Sequence, residues 1–302
     1  MKVKYLILFS VLFLGGLVAS CDEEENNTPQ VGVVLKNSEN EWVASMRSYS
    51  TTLLESYGLR YSIKYGASEQ AQAKEIGDMV TRKAEIMIVD PQRLPKDSLN
   101  KAHNAGIPIV YLEYAATDTY AALVQIDNVK VGETAADFFK EQEGISKVAV
   151  LHVMQDSIVS EARREGLMQK LEMDTVTLFV GSSSISDGRT AFSTIRTNYP
   201  DVDAIYAQTD ELAIGILEAL GENDQIKVIV GGGGSKAYCD YIYSSKNITL
   251  ATLLYSPKDM IETAVIEAND IIASRNIPDK KVIALETAIV DKSNLSSYIP
   301  VY

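Results

Sequence analysis

From Val31 to Val290, short apolar runs alternate with longer stretches whose apolar residues recur every three or four positions. Few folds accommodate that rhythm. A short unbroken apolar run suits a strand covered on both faces, and a stripe at helical spacing suits the helix that covers it. Val31–Leu35 is the first such run. Trp42, Met46, Tyr49, Leu53 and Tyr57 then mark one helix face, with Ser38 and Glu41 spaced as a capping box. Strands are expected at Tyr61–Tyr65, Glu85–Val89, Ile107–Leu112 and Ala122–Ile126, with helices at Ala71–Thr81 and Asp97–Asn104 between them. The rhythm then restarts. Helices at Asn128–Glu141, Ser160–Leu171, Thr190–Asn198, Asp210–Leu220 and Lys236–Ser244 alternate with strands at Lys147–His152, Thr175–Val180, Ala204–Ala207, Lys227–Val230 and Thr249–Leu254. A last helix starts at Pro257 behind Ser256, and Val282–Val290 reads as a final strand. Repeated β-α units predict parallel central sheets flanked by helices, and the restart predicts two Rossmann-like α/β lobes. No long linker separates the halves, so short crossovers are expected. Ligands of such sheets sit beyond the carboxyl ends of the strands.

The first residues set the compartment. Met1-Lys2-Val3-Lys4 precedes an apolar run from Tyr5 to Ala19, which ends in Val18-Ala19-Ser20-Cys21. A basic start, a short apolar run and small residues before a cysteine read as a bacterial lipoprotein signal, residues 1–20. Cleavage before Cys21 would free its thiol to carry a lipid and tie the mature chain to a membrane of the cell envelope. The acidic, polar segment 21–30 reads as a tether, and its acidic residues after Cys21 resemble export signals of surface lipoproteins.

The net charge of -13 argues against nucleic acid as a partner, since the chain would repel phosphates. Cys239 is the second of two cysteines; with Cys21 lipidated it has no partner and is expected to be a buried or half-buried spectator. Signatures of catalysis are thin. His103 and His152 lie in no nucleophile or zinc pattern and read as packing or surface residues, so neither an enzyme nor a metal or cofactor site is expected. Gly231-Gly232-Gly233-Gly234-Ser235-Lys236 stands between a strand and a helix, where phosphate loops occur, but Ser235 precedes Lys236 and the Walker order is not met. Two readings of this turn stand, a structural turn and a ligand-contact turn.

In combination, several segments resemble the type I periplasmic sugar-binding proteins of the ribose/galactose class, over nearly all of 31–290. Val31–Trp42 resembles the family's first strand and the start of its first helix. Ala84–Pro91 and Ala105–Tyr114 resemble its third and fourth strands, Gln125–Asn128 its first crossover, and Ala162–Gly166 the helix with a ligand arginine. Val202–Gly215 is the most family-like segment.

The resemblance implies two lobes joined by three crossovers, closing on a small molecule. It implies an N-terminal lobe of residues 31–127 plus 256–284 and a C-terminal lobe of 128–255 plus 285–302, with hinges near Asp127, Tyr255 and Leu285. Ligand contacts carried over are Asn40, Trp42, Asp90, Glu113, Tyr114, Arg163, Thr209, Gly233 and Tyr255. Trp42 reads equally as a core residue, and Asp210 reads as a helix cap. Gly233 stands where sugar binders place an aspartate, and Tyr255 where they often place an amide. These departures point to a carbohydrate or cyclitol other than ribose or galactose, or to a larger, more apolar ligand. The implied protein is a monomer without covalent chemistry that passes its ligand to an ABC permease or a membrane sensor. The alternatives are a binder of a non-sugar ligand and an interaction module with a degenerate cleft.

Overall fold

The computed structural model describes residues 29–36, 41–91, 96–153, 157–222, 224–300 and 302. Asn40, Cys21 and the Ser38–Glu41 capping box fall wholly or partly outside them. The described elements, in chain order, are β1 Val31–Leu35, α1 Glu41–Ser56, β2 Tyr61–Tyr65, α2 Glu69–Thr81, β3 Ile86–Val89, α3 Lys96–Asn104, β4 Ile109–Leu112 and β5 Ala122–Ile126. They continue with α4 Asn128–Lys140, β6 Lys147–Val153, α5 Ile158–Lys170, β7 Asp174–Val180, α6 Ile185–Asn198, β8 Ala204–Tyr206, α7 Asp210–Ala219, β9 Val228–Gly232, α8 Lys236–Ser244 and β10 Thr249–Leu253. The last are α9 Pro257–Ser274, β11 Lys281–Leu285 and β12 Ile289–Asp291.

Two sheets result, ordered β11-β5-β4-β3-β1-β2 and β12-β10-β9-β8-β6-β7. Every pairing is parallel except that of β12 with β10. The central strands are buried along their length, as the unbroken apolar runs require of strands covered on both faces. In each sheet the strand order reverses next to the first strand of the half, between β1 and β3 and between β6 and β8. Such reversals open crevices at the carboxyl ends.

The chain passes between the sheets three times, after β5, after β10 and after β11. The single final strand expected at Val282–Val290 is corrected here. It divides into β11, which pairs with β5 in the first sheet, and β12, which pairs with β10 in the second. The break lies at 286–288, where the Thr287 hydroxyl and the Ala288 carbonyl bond the Leu254 backbone instead of continuing a ladder. Leu285 still pairs with Ile126, inside the first sheet. Helix α6 also begins earlier than its apolar stripe suggests. Ser184 caps it by accepting from the Asp187 N–H, so the polar first turn belongs to the helix.

Packing between α4 and α5 depends on two glycines. A Cβ at Gly132 would overlap the Arg163 carbonyl oxygen, and one at Gly166 would overlap the Val129 carbonyl oxygen. The two backbones touch there, which brings Arg163 of α5 against Asn128, the first residue of α4.

Candidate functional site

The register of the first sheet decides what meets at its crevice. Val34 pairs with Val89, and Val89 with Tyr111, so β1, β3 and β4 end nearly level. The residues just beyond them are Lys36, Asp90 and Glu113. Lys36 forms an ion pair with Glu113 and lies 3.1 Å from Asp90 Oδ1. Glu113 reaches inward because its backbone is left-handed, φ 64°, a conformation L residues adopt at a cost of about 1–2 kcal/mol. Gln72 fixes the Asp90 turn by donating its amide to the Asp90 carbonyl at 2.6 Å.

The electrostatics of this trio follow from burial. Burial alone would lower the Lys36 ammonium, but Asp90 and Glu113 outweigh it and hold the group above its ordinary range. Asp90 is fully buried and is pushed up to about 7 by desolvation and by the Glu113 charge, with Lys36 opposing. Burial would raise Glu113 too, but Lys36 and Arg163 lower it below its ordinary value. Arg163 belongs to the second lobe, so Glu113 feels charge from both sides of the crevice.

The second sheet contributes a matching set. Arg163 is buried, donates through Nε to Asn128 Oδ1 at 2.9 Å and through a terminal nitrogen to the Gln208 carbonyl at 3.3 Å. Its guanidinium lies 4.0 Å from the centroid of the Tyr255 ring, close enough for a cation–π contact. Gln208, just past β8, is also left-handed, φ 60°, and its carbonyl accepts from the Tyr255 hydroxyl as well. Trp42 is half-buried against the core and donates its indole N–H to the Tyr255 carbonyl at 3.3 Å. Tyr255 therefore touches groups from both halves at the second passage of the chain.

Of the residues expected at the site, Asp90, Glu113, Arg163, Tyr255 and Trp42 are linked by these contacts. Tyr114 donates its hydroxyl to the Pro91 carbonyl at 2.8 Å and flanks the same strand ends. Thr209 is a helix cap that accepts from the Leu212 N–H at 3.3 Å. The cap expected at Asp210 is thus corrected. Asp210 instead lies buried in the first turn, accepting from the Ser235 N–H at 2.6 Å and the Thr252 hydroxyl at 2.7 Å. Gly231 and Gly232 end β9, where a Cβ at Gly232 would overlap the Tyr255 hydroxyl, and the turn that follows has φ 130° at Gly233 and 78° at Gly234. Cys239 is free and buried, its thiol pushed up to about 12 by burial and nearby carboxylates. His152 is buried beside Phe179, 5.0 Å between rings, and His103 is exposed on α3.

Sequence reasoning missed Lys36, Gln208 and Tyr206. Lys36 carried a signal, a cation directly after a buried strand at the reversal. Gln208 and Tyr206 carried none, because their importance lies in atoms left unpartnered. Among the described residues, Asp90 Oδ2, Gln208 Oε1 and the Tyr206 hydroxyl are buried with no hydrogen-bond partner. Buried polar atoms are ordinarily paired, so a cluster of orphans at two sets of strand ends marks a place for a polar ligand.

The model of the periplasmic binding protein domain matches residues 31–276. The chain belongs to this family. A ribose import binding protein of Bacillus subtilis is 24% identical over 257 residues, covering 82% of this chain and 83% of its own. Among solved structures, a periplasmic solute binding protein of an ABC transporter from Actinobacillus succinogenes with bound D-allose superposes with a TM-score of 0.79. It is 22% identical and covers 89% of this chain and 100% of that one. The Caulobacter myo-inositol binding protein, bound to myo-inositol, also gives 0.79, at 21% identity, covering 89% of this chain and 95% of that one. The Bacillus and Actinobacillus proteins are solute-binding proteins of transport systems, not enzymes. Among the described residues no helix is long and apolar enough to cross a membrane.

Proposed function

We propose that this periplasmic binding protein captures a small polyhydroxylated molecule, a sugar or cyclitol, between its lobes and presents it to an ABC permease or membrane sensor. The observation that carries this reading is the set of orphaned buried polar atoms, Asp90 Oδ2, Gln208 Oε1 and the Tyr206 hydroxyl, beside the Lys36 and Arg163 cations. A polyol offers donors and acceptors on every edge, so it can satisfy such a mixed set at once. Trp42, Tyr114 and Tyr255 supply the apolar faces on which the C–H side of a ring can lie. The relatives whose ligands are ribose, D-allose and myo-inositol support the same chemical class.

In this reading, residues 31–127 with 256–285 move against 128–255 with 286–302, by hinges near Asp127, Tyr255 and the 286–288 break that follows Leu285. The protein works as a monomer held to the envelope through a lipid on Cys21. Asn40 and Thr209 complete the ligand contacts. A thermal-shift screen of pentoses, hexoses, inositols, sugar acids and nucleosides tests the proposal, followed by calorimetry on each hit. Binding to the folded state alone raises the melting temperature. A saturable shift with at least one polyol is expected; a folded protein that no polyol stabilises would sink the reading.

A further inference from the structure

The end of the described chain folds back over the glycine turn. After β12 a short 3-10 turn, Leu295–Ser297, redirects the backbone toward α8. Two hydrogen bonds pin the segment that follows. The Tyr298 hydroxyl donates to the Gly234 carbonyl at 2.8 Å, and the Lys236 N–H in the first turn of α8 donates to the Tyr302 carbonyl at 2.7 Å. With Tyr298 and Tyr302 each anchored in this way, the Tyr302 phenol lies on Gly233, just past the carboxyl end of β9. A Cβ at Gly233 would overlap the Tyr302 hydroxyl. Residue 233 presents no side chain to the crevice, and its φ of 130° leaves little freedom to present one. The phenol occupies that space instead.

Where the phenol lies is set by its neighbours. Its charge environment comprises Asp210, Glu211, Tyr255 and Tyr298, and Tyr255 is the residue that stacks on Arg163. Burial and the adjacent carboxylates hold the Tyr302 hydroxyl protonated, so it can both donate and accept. It makes no hydrogen bond to any described residue, whereas the Tyr298 hydroxyl is used as an anchor. One tyrosine secures the segment and the other carries a free polar tip on a stiff ring.

We propose that Tyr302 is a ligand-contacting, specificity-determining residue, supplying from the folded-back segment the polar group that position 233 does not present. The inference rests on the capture reading above and deepens it. None of these neighbours of Tyr302 is a cation that could pair with a ligand carboxylate, so the part of the ligand that meets Tyr302 is a neutral hydroxyl.

Calorimetry with D-ribose, D-allose and myo-inositol on the purified full chain tests it, beside Tyr302→Phe, Tyr302→Ala and Tyr298→Phe. Tyr302→Phe removes one oxygen and keeps the ring. It should weaken the polyol that the unaltered protein binds best by about three- to tenfold, the worth of one neutral hydrogen bond, with the melting temperature of the free protein unchanged. Tyr302→Ala should also alter the order of preference among the three. Tyr298→Phe should lower the melting temperature and leave that order intact. An unchanged affinity in Tyr302→Phe, with the unaltered protein binding normally, overturns the role of Tyr302 alone. If the unaltered protein binds none of the three, the polyol with the largest thermal shift in the wider panel takes their place in the same comparison; a folded protein that binds no polyol of that panel overturns the capture reading, and this inference with it.

Discussion

Replacing Asp90 with asparagine should remove a pH dependence of stability that the buried charge trio builds into the first lobe. The Asp90 carboxyl titrates near 7 when folded, against an ordinary 3.8, because burial and Glu113 outweigh its ion pair with Lys36. The folded chain therefore holds this proton more tightly than the unfolded chain. Stability from this group is greatest below 3.8 and falls as pH rises toward 7. Integrated from about pH 5 to about pH 8, the loss is roughly 2–3 kcal/mol. Glu211 is also pushed up to about 7, by burial, and adds a loss of the same sign that the variant retains. Glu113 is lowered instead; its contribution is lost only as the solution becomes acidic, outside this window. Asparagine has nearly the same shape and no charge to titrate, and Lys36 keeps Glu113 as its partner. Urea denaturation of ligand-free protein at the two pH values measures the difference. The unaltered chain should lose about 2–3 kcal/mol more than Asp90→Asn between them. Equal losses in the two proteins would refute the claim that Asp90 is a buried carboxyl strained by its neighbours.

Three further substitutions examine separate parts of the account. Arg163→Ala removes a buried guanidinium and should weaken ligand binding by about ten- to a hundredfold in calorimetry, as charged hydrogen bonds are worth about 1.5–3 kcal/mol; an unchanged affinity would place the ligand elsewhere. Gly132→Ala forces a methyl group into the Arg163 carbonyl and should cost about 1–3 kcal/mol in thermal unfolding, with weaker binding because Arg163 moves; a neutral result contradicts the close α4–α5 approach. Cys21→Ala should abolish metabolic lipid labelling and release the protein from the membrane fraction, and a labelled, membrane-bound variant would end the lipoprotein reading.

Element after element was legible in the chain because burial on both faces leaves a simple trace. Strands such as Val31–Leu35 and Ala122–Ile126 have the bounds their apolar runs suggest, while the half-buried edge strand Tyr61–Tyr65 shows instead an alternation of Tyr61, Ile63 and Tyr65 with Ser62 and Lys64. What was not legible depends on long-range pairing. Nothing local in Val282–Val290 says that its halves join different sheets; only β5 and β10, distant in sequence, decide that. The site divides in the same way. Glu113 and Arg163 stand out as charges at strand ends and on the helix that matches the family pattern. Lys36 gains meaning only once β1, β3 and β4 are known to end level. The left-handed turns at Glu113 and Gln208 have no sequence signature, since neither residue favours that conformation.

The distribution of charge across the crevice connects the fold to capture. Arg163 from the second half lowers Glu113 of the first, an attraction that grows as the two approach. Glu211 of the second half is raised in part by Glu41 of the first, a repulsion that grows in the same way. The attractive pair lies at the buried reversal of the strands, where the effective dielectric is low; Glu41 is exposed to water, which screens its effect. On the proposed capture of a neutral polyol, closure would therefore strengthen the attraction more than the repulsion, without the ligand having to bring a charge. A ligand carboxylate would compete with Glu113 for Lys36 and Arg163 and would meet Asp90 and Glu211 as well. The same arrangement that favours closing on a hydroxyl-bearing ring thus penalises its acidic analogue, and affinity for a sugar should exceed that for the corresponding sugar acid.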